Sequence, residues 1–186
     1  MKWMIASDIH GNADYCGQML RRFEEEKADR LVLLGDILYH GPRNDVTEGY
    51  APKTVAGMLN GIREKLLCVR GNCDCEVDQM MLEFPILADY ALLDTGKTMI
   101  FATHGHVWNE DRLPPLKHGD VLLHGHTHIP LHAEKDGILC VNPGSVTIEK
   151  DGCRRSYMTL EDGVFRWKTL EGEEYDKLST WKRLQG

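Results

Sequence analysis

Short apolar runs alternate with helix-like stretches over the first 70 residues of the chain. Residues 3–7, 31–34 and 66–69 are apolar runs of strand length. Between them, residues 13–27 and the region around residues 55–62 carry apolar side chains at helical spacing, and Asn12 is a candidate N-cap. Alternation of strand, helix, strand, helix and strand is typical of a parallel α/β sheet.

The second half of the chain is rich in strand-like segments with short connections. They lie at residues 99–103, 121–124, 138–141, 156–160 and 164–169, and residues 161–163 predict a hairpin. We expect antiparallel edge strands or a second sheet packed on the first, within one domain spanning residues 1–186. Tyr175, Leu178, Trp181 and Leu184 recur at helix-like spacing, so residues 171–186 are expected to be a peripheral tail, either a docked helix or a loose end.

Polar side chains with metal-binding atoms follow five of the predicted strands, at the point where each strand ends. They are Asp8, His10, Asp36, Asn72, His104, His126 and His128. Residues just past the carboxyl ends of strands in an α/β sheet converge on one crevice. Each pair alone has an ordinary explanation, such as an N-cap or a loop turn, but the whole set predicts a common site.

The chemistry of these donors indicates a transition-metal site. Two carboxylates, one amide and four imidazoles, with no thiolate required, suit Mn²⁺, Fe or Zn²⁺ better than Ca²⁺ or a structural zinc. Seven donors are too many for one tetrahedral ion. They suit two ions that share a bridging carboxylate, an arrangement that recurs in phosphoryl hydrolysis.

Composition narrows the classes of function and the expected location. A net charge of −7 argues against nonspecific nucleic-acid binding. No apolar run approaches the roughly 20 residues of a membrane helix, and the first run is interrupted by Asp8, so it is interpreted as a strand and not as a signal peptide. The six cysteines contain no Cys-x-x-Cys pair and are interpreted as reduced thiols. A cytoplasmic protein is expected.

These motifs, in this order, resemble those of the calcineurin-like metallophosphoesterases, and more narrowly the small bacterial phosphodiesterases of the YfcE type. The motifs are DIH at residues 8–10, GD at 35–36, GN at 71–72, His104, and GHTH at 125–128. SDIHGN (7–12), GDILYHGPR (35–43), RGNCD (70–74) and VNPGS (141–145) support the narrower resemblance. The resemblance implies a four-layer αββα sandwich of two mixed β-sheets flanked by helices, the metallophosphatase fold.

The resemblance also implies roles for individual residues. One ion would be bound by Asp8, His10, Asp36 and His128, and the other by Asp36 as bridge, Asn72, His104 and His126. His124 has no ligand role in that pattern. Candidate catalytic residues are Asn72, Cys73, Asp74, His104 and His106, and candidate substrate-binding residues are His40, Arg43 and His106. The segment from Asn142 to Ser145 is expected to brace the site.

The implied activity is hydrolysis of small phosphodiesters by in-line attack of a hydroxide that bridges two divalent ions. Mn²⁺ is the expected metal, with Zn²⁺, Fe or Ni²⁺ as alternatives. A phosphomonoesterase or nucleotidase on the same site, or a non-catalytic scaffold similar to the retromer subunit of this fold, remain alternative functions. A small phosphodiester is the expected partner, no membrane is expected, and a homo-oligomer, dimer or tetramer, is left open.

Two positions depart from the pattern of many relatives. Cys73 stands where many carry a histidine that assists the leaving oxygen, and Tyr39 stands where some carry an acidic residue. A thiol is a poor hydrogen-bond donor and carries no positive charge. Leaving-group protonation then falls to His40, His106 or water, or is unnecessary for good leaving groups. Cys73 itself is either functional or a filler beside the site.

Overall fold

The computed structural model describes residues 1–180 as two β-sheets with helices. The helices are α1 (Ala13–Glu25), α2 (Pro52–Asn60) and α3 (Glu76–Gln79), and Arg63–Lys65 is a short 3-10 turn. The strands are β1 (Lys2–Ala6), β2 (Arg30–Leu33), β3 (Leu66–Cys68), β4 (Tyr90–Asp94), β5 (Met99–Thr103), β6 (Val121–Leu123), β7 (Leu131–Lys135), β8 (Ile138–Asn142), β9 (Ser156–Glu161), β10 (Val164–Thr169) and β11 (Glu174–Ser179).

The first sheet has six strands in the order β11-β10-β9-β1-β2-β3. Strands β1, β2 and β3 are parallel, with Met4 opposite Leu31 and Leu31 opposite Leu66. The remaining pairs are antiparallel, and the β9–β10 hairpin turns at Asp162 and Gly163, both in the left-handed region of φ. The hairpin predicted at residues 161–163 is therefore confirmed.

The second sheet has five strands in the order β4-β5-β6-β8-β7. Strands β5, β6 and β8 are parallel, and β4 and β7 pair antiparallel at the two edges. The hydrophobic pattern did not predict β4 and β7. These edge strands are partly solvent-exposed, with Tyr90 and Leu92 each more than half exposed, so their apolar signal is weak.

Alternation along the strands separates the hydrophobic core into layers. Met4, Leu31 and Leu33 pack against α1 and α2, whereas Ile5 and Val32 face the second sheet. The outer face of the second sheet, which includes Phe101, Leu122, Ile138 and Cys140, is covered by Trp108, Leu113 and Leu116 from the connection between β5 and β6. The expected sandwich of two mixed sheets is confirmed.

The expectation of a docked helix or a loose end at residues 171–186 was wrong for the part of this segment that the structure describes. Glu174–Ser179 forms the edge strand β11, with Leu178 opposite Phe165, and is neither a helix nor a loose end. Pairing with an open sheet edge satisfies the backbone groups there, and this outweighs a helix-like spacing of a few apolar residues. Trp181 and Leu184 lie outside the described residues. Within residues 1–180, no helix is both long and apolar enough to cross a lipid bilayer.

Candidate metal centre

The two sheets bring the carboxyl ends of five strands to one edge of the sandwich. Asp8 and His10 follow β1, Asp36 follows β2, and Asn72 follows β3. His104 follows β5 in the other sheet, and His126 and His128 follow the neighbouring parallel strand β6. The sheets are joined here by hydrogen bonds, since His126 N donates to Asp8 Oδ2 at 3.1 Å. All seven predicted ligands meet at this edge.

Five of these residues have a left-handed backbone. The φ angles are 61° for Asp8, 48° for His10, 54° for Asp36, 68° for His126 and 64° for His128. This conformation costs about 1–2 kcal/mol for a residue with a Cβ atom. Such strain concentrates at functional sites, where the surrounding structure imposes it. The fold therefore holds these side chains in directions that a relaxed chain would not choose.

Asp8, His10 and His128 form one cluster of ligand atoms. The Nε2 atom of His128 lies 3.2 Å from Asp8 Oδ1, and the Nε2 atom of His10 lies 3.6 Å from the same oxygen. The two Nε2 atoms are 3.3 Å apart. Asp8 Oδ1 is buried, and within residues 1–180 these nearby imidazole nitrogens do not complete a well-directed hydrogen bond to it. A buried carboxylate oxygen facing imidazole nitrogens in this way fits a bound cation.

Asp36 lies between this cluster and a second one. Its Oδ2 atom is 3.8 Å from His10 Nε2 and 3.5 Å from His104 Nε2. In the second cluster, His104 Nε2 lies 3.0 Å from Asn72 Oδ1 and 3.1 Å from His126 Nδ1. Among the described residues, the groups Asp8–His10–His128 and Asp8–Asp36–His104 each have ligand atoms within 4.8 Å of one another. One carboxylate oxygen thus faces both clusters.

Backbone carbonyl groups orient two of the imidazoles. The Nδ1 atom of His10 donates to the carbonyl oxygen of Tyr39 at 2.9 Å, and that of His104 donates to the carbonyl oxygen of Leu34 at 2.6 Å. Each bond directs the Nε2 atom of the same ring to the site. Contacts of this kind fix the ring and raise its basicity as a ligand. Tyr39 supports the site through its carbonyl group, so this contact does not depend on the nature of its side chain.

The electrostatics of the site favour a bound cation. Burial would raise the pKa of Asp36, but the hydrogen bond and charge of His104, together with the backbone N–H of Cys73, outweigh burial and lower the pKa of this carboxyl. Burial would lower the pKa of His104, but Asp36 and Asp8 raise it to about 9. Burial and the neighbouring His104 lower the pKa of His126 to about 4. A proton on His104 balances the carboxylates, and the His126 lone pair is available to a ligand ion.

Close backbone packing around the clusters depends on two glycines. A Cβ atom on Gly71 would lie 2.1 Å from Asp36 Oδ1, and one on Gly125 would lie 2.0 Å from the Oγ atom of Ser7. Any larger residue would displace a neighbour that supports a ligand. These contacts explain why glycine precedes Asn72 and His126 in the sequence.

Asp74 supports the site from beneath and does not face it. Its carboxylate accepts hydrogen bonds from the backbone N–H groups of Asp36, Ile37 and Gly71 at 2.8, 2.9 and 2.7 Å. The residue is only 2% exposed. Of the candidate catalytic residues, Asp74 is thus placed to position the backbone of Asp36 and Gly71, because backbone donors occupy both of its oxygens.

The segment after β8 braces the ligand loops, as expected for Asn142 and Ser145. Asn142 Nδ2 donates to the carbonyl oxygen of Gly125 at 2.8 Å, and Ser145 Oγ donates to that of Asp8 at 3.1 Å. Thr147 Oγ1 donates to the carbonyl oxygen of Ile9 at 2.7 Å. Thr147 was not singled out from the sequence, because a lone threonine in a loop carries no recognisable signal.

His124 is buried and faces away from the two clusters. Its Nε2 atom lies 3.2 Å from Glu110 Oε2, in the connection that covers the second sheet. The contact with His124 and other interactions hold the pKa of Glu110 at about 2. The position agrees with the expectation that His124 has no ligand role.

A cavity of 490 Å³ opens onto the clusters. Arg43 and Lys150 line it together with His10, Asp36, Asn72, Cys73, His126 and His128. Lys150, on the connection between β8 and β9, was not predicted, since no motif distinguishes it from other surface lysines. A larger cavity of 580 Å³ lies elsewhere, near Trp167 and the His132–Asp176 ion pair.

The other candidate residues occupy different positions around the cavity. Cys73 is half-buried beside the clusters, and its backbone N–H donates to Asp36 Oδ1 at 2.8 Å. His106 is exposed, with its ring centroid 5.4 Å from that of His104. Neither His106 nor His40 is among the residues that line the cavity, and the His40 ring packs at 5.4 Å against that of Tyr50. Of the two, only His106 adjoins a candidate ligand, His104.

Comparison with known proteins agrees with this geometry. The family model for the calcineurin-like phosphoesterase superfamily domain matches residues 1–162. Phosphodiesterase YfcE from Escherichia coli K12 is 48% identical over 164 residues, which cover 88% of this chain and 89% of that protein. A solved structure of the E. coli phosphoesterase Yfce matches with a TM-score of 0.93 and 44% identity, covering 97% of this chain and 100% of that one.

More distant structures share the fold. Vacuolar protein sorting 29 from Cryptosporidium parvum aligns with a TM-score of 0.60 at 18% identity, covering 96% of this chain and 97% of that one. A likeness at that level of identity describes the architecture alone.

Proposed function

The chain belongs to the calcineurin-like phosphoesterase superfamily, and from this premise we propose that it is a metal-dependent phosphodiesterase that hydrolyses small phosphodiesters. The observation that carries the proposal is the position of Asp36 Oδ2, within 3.8 Å of His10 Nε2 and 3.5 Å of His104 Nε2. A single carboxylate oxygen between two ligand clusters suits a pair of ions. The identity to a curated phosphodiesterase supports the diester as substrate.

The candidate ligands would hold two divalent ions, with Mn²⁺ preferred. Asp8, His10, Asp36 and His128 would bind one ion, and Asp36, Asn72, His104 and His126 would bind the other. Nitrogen and oxygen donors without a required thiolate suit Mn²⁺, Fe, Zn²⁺ or Ni²⁺. When bound, the two ions supply the Lewis acidity that activates water for in-line attack on phosphorus and stabilises the charge on the equatorial oxygens.

The protein groups around the ions set the charge that a substrate meets. With only two carboxylates among seven ligands, the loaded site retains positive charge that suits a phosphodiester monoanion. Arg43, exposed at the rim, is placed to contact phosphate oxygens. Cys73 and Asn72 contribute no charge, and His106 lies at the exposed side of His104 as the candidate proton donor.

The same fold also occurs in a protein named for vacuolar sorting, so a non-catalytic scaffold is the principal rival. The strained backbone at five ligand positions favours the enzyme. A protein-binding surface has no need for left-handed aspartate and histidine residues around a buried carboxylate oxygen that faces imidazole nitrogens.

The test is hydrolysis of bis(p-nitrophenyl) phosphate by metal-stripped protein, with Mn²⁺ added back and p-nitrophenyl phosphate as the monoester comparison. We expect no activity after chelation, recovery with Mn²⁺, and a higher kcat/KM on the diester. His10→Ala should abolish recovery, whereas His118→Ala, an exposed histidine outside the site, should not change it. Activity that survives chelation would contradict the metal mechanism, and full preference for the monoester would contradict the diester assignment.

A further inference from the structure

An apolar groove adjoins the metal-centre cavity on the side of α2 and α3. Its volume is 360 Å³, which is within the range of small-ligand pockets. Leu38, Tyr39, Tyr50, Cys73, Val77 and Met81 are among the residues that line it. Most of its lining is apolar, in contrast to the histidines, carboxylates and amides of the metal-centre cavity.

The groove exposes apolar side chains that a soluble surface would normally cover. Val77 is 67% exposed, Met81 is 44% exposed and Tyr39 is 40% exposed. Exposed apolar residues scattered singly need no explanation, but a cluster around a concave surface marks a binding site. Methionine side chains also adapt their shape to different apolar partners.

Aromatic rings form one wall of the groove. The ring of Tyr50 packs edge-on against that of His40 at 5.4 Å between centroids, and His40 packs in turn against Tyr39 at 4.6 Å. Tyrosine and histidine rings held in this way offer a face or edge to another ring. The chain thus uses His40, which does not line the metal-centre cavity, to support an aromatic wall beside it.

The groove is continuous with the metal centre through one residue. Cys73 lines both the groove and the metal-centre cavity, and its Sγ atom lies within 4.8 Å of ligand atoms of His10 and Asp36. A group bound in the groove therefore lies next to a phosphate bound at the clusters. The carboxylate that lines the groove, Asp78, accepts a hydrogen bond from Cys75 N at 2.9 Å and so is occupied locally.

We propose that this groove binds an apolar or aromatic substituent of the phosphodiester, so that the enzyme selects diesters with at least one such ester group. The proposal rests on the proposed function, because it requires the phosphate to bind at the clusters. Burying an additional apolar group in a pocket typically changes specificity by roughly 10–200-fold. The occupant is part of the substrate and not a second protein, since the groove opens beside the ligand clusters.

Inhibition constants of two simple phosphonates distinguish binding in the groove from binding at the metal centre. Methylphosphonate presents the anion alone, and phenylphosphonate adds one ring. With Mn²⁺-loaded enzyme, we expect phenylphosphonate to have an inhibition constant about tenfold lower than methylphosphonate. Val77→Asp and Met81→Ser should reduce this ratio to about threefold or less without changing the constant for methylphosphonate.

A matched control lies in the same segment. Met80 is 84% exposed and does not line the groove, so Met80→Ser should keep the wild-type ratio. Because Val77 and Met81 are exposed, their replacement should leave folding intact, and circular dichroism with methylphosphonate inhibition checks this in each variant.

The outcomes distinguish the two proposals. Failure of both phosphonates to bind would contradict the metal-centre function. Equal inhibition constants for the two phosphonates in wild-type enzyme would overturn the groove proposal alone. A ratio that persists in both Val77→Asp and Met81→Ser would overturn it as well. A change from dimer to monomer in Val77→Asp, with an unchanged ratio, would assign the groove to contact with a second copy of the chain.

Discussion

The carboxylate of Asp74 accepts the backbone N–H of Asp36 at 2.8 Å. The bond holds the backbone of Asp36 where its side chain faces both ligand clusters, with φ at 54°. The same carboxylate accepts the N–H of Gly71, so the loops after β2 and β3 are tied to one group.

Asp74→Asn should weaken metal binding without removing a ligand. The amide of the variant has only one acceptor oxygen, and its NH₂ group faces backbone N–H donors. At least one of the hydrogen bonds that position the backbone of Asp36 is therefore lost. Loss of such an outer contact typically costs about 10–100-fold in metal affinity or activity. Isothermal titration with Mn²⁺ checks this, with Asp29→Asn, a carboxylate that accepts Lys2 N far from the site, as the control. Unchanged affinity in Asp74→Asn would show that the brace is dispensable.

Asp36→Asn should prevent stable occupancy of both metal positions, because the shared oxygen loses its charge. Metal content per chain, measured by elemental analysis after dialysis, should fall to below one ion, and activity should fall by at least about 100-fold. Asp45→Asn, an exposed loop residue, should retain wild-type content. Two fully occupied ions in Asp36→Asn would contradict the bridging role.

Cys73→His should help substrates with poor leaving groups more than activated ones. Burial and the nearby charge of Asp36 together raise the pKa of the Cys73 thiol to about 12, so the thiol is neutral near pH 7. An imidazole at this position restores a proton donor, an effect typically worth about 10²–10⁴-fold. Rates on alkyl and p-nitrophenyl esters measure it, with Cys153→His as the control. Equal gains on both classes would remove the leaving-group argument.

Glu26 should make stability depend on pH in the acid range. Burial would raise the pKa of Glu26, but hydrogen bonds from Lys168, Lys2 and Tyr157 lower it to about 2, from 4.5 in an unperturbed chain. A lowered pKa in the folded state stabilises the protein above pH 4.5, and this stabilisation is lost as the pH falls toward 2.

Urea unfolding of Glu26→Gln tests this dependence. The variant should be destabilised by about 1–3 kcal/mol at pH 7, and the difference from wild type should shrink as the pH is lowered below 4.5. Glu24→Gln, an exposed neighbour on α1, should follow the wild-type curve. A difference that stays constant from pH 7 to pH 3 would show that Glu26 acts through packing and not through its charge.

The convergence of the candidate ligands could be predicted because these polar residues directly follow apolar strands. The ends of parallel strands converge whatever the details of the loops, and Asp8, Asp36 and His104 each follow such a strand. The candidate set followed from that rule and from the resemblance to a known family, and the two-sheet sandwich followed from the resemblance.

Contacts between segments that are distant in the sequence could not be predicted in the same way. The role of Asp74 requires the loops after β2 and β3 to meet within 3 Å of one carboxylate, and no local pattern reports this distance. The location of Lys150 depends on the path of a long connection. Strand β11 was mispredicted because it pairs with the open edge of β10. The spacing of apolar residues within the segment does not show that such an edge is available.

The division of the candidate ligands between the two sheets has a consequence for the order of folding and metal binding. Asp8, His10, Asp36 and Asn72 come from the first sheet, and the three remaining imidazoles come from the second. Strand β1, which carries the first two ligands, pairs with β9 near the end of the chain. Both sheets must therefore form before all seven candidate ligands stand at one edge. We expect metal binding to follow the pairing of β1 with β9, because a partly folded chain presents only part of this set of donors.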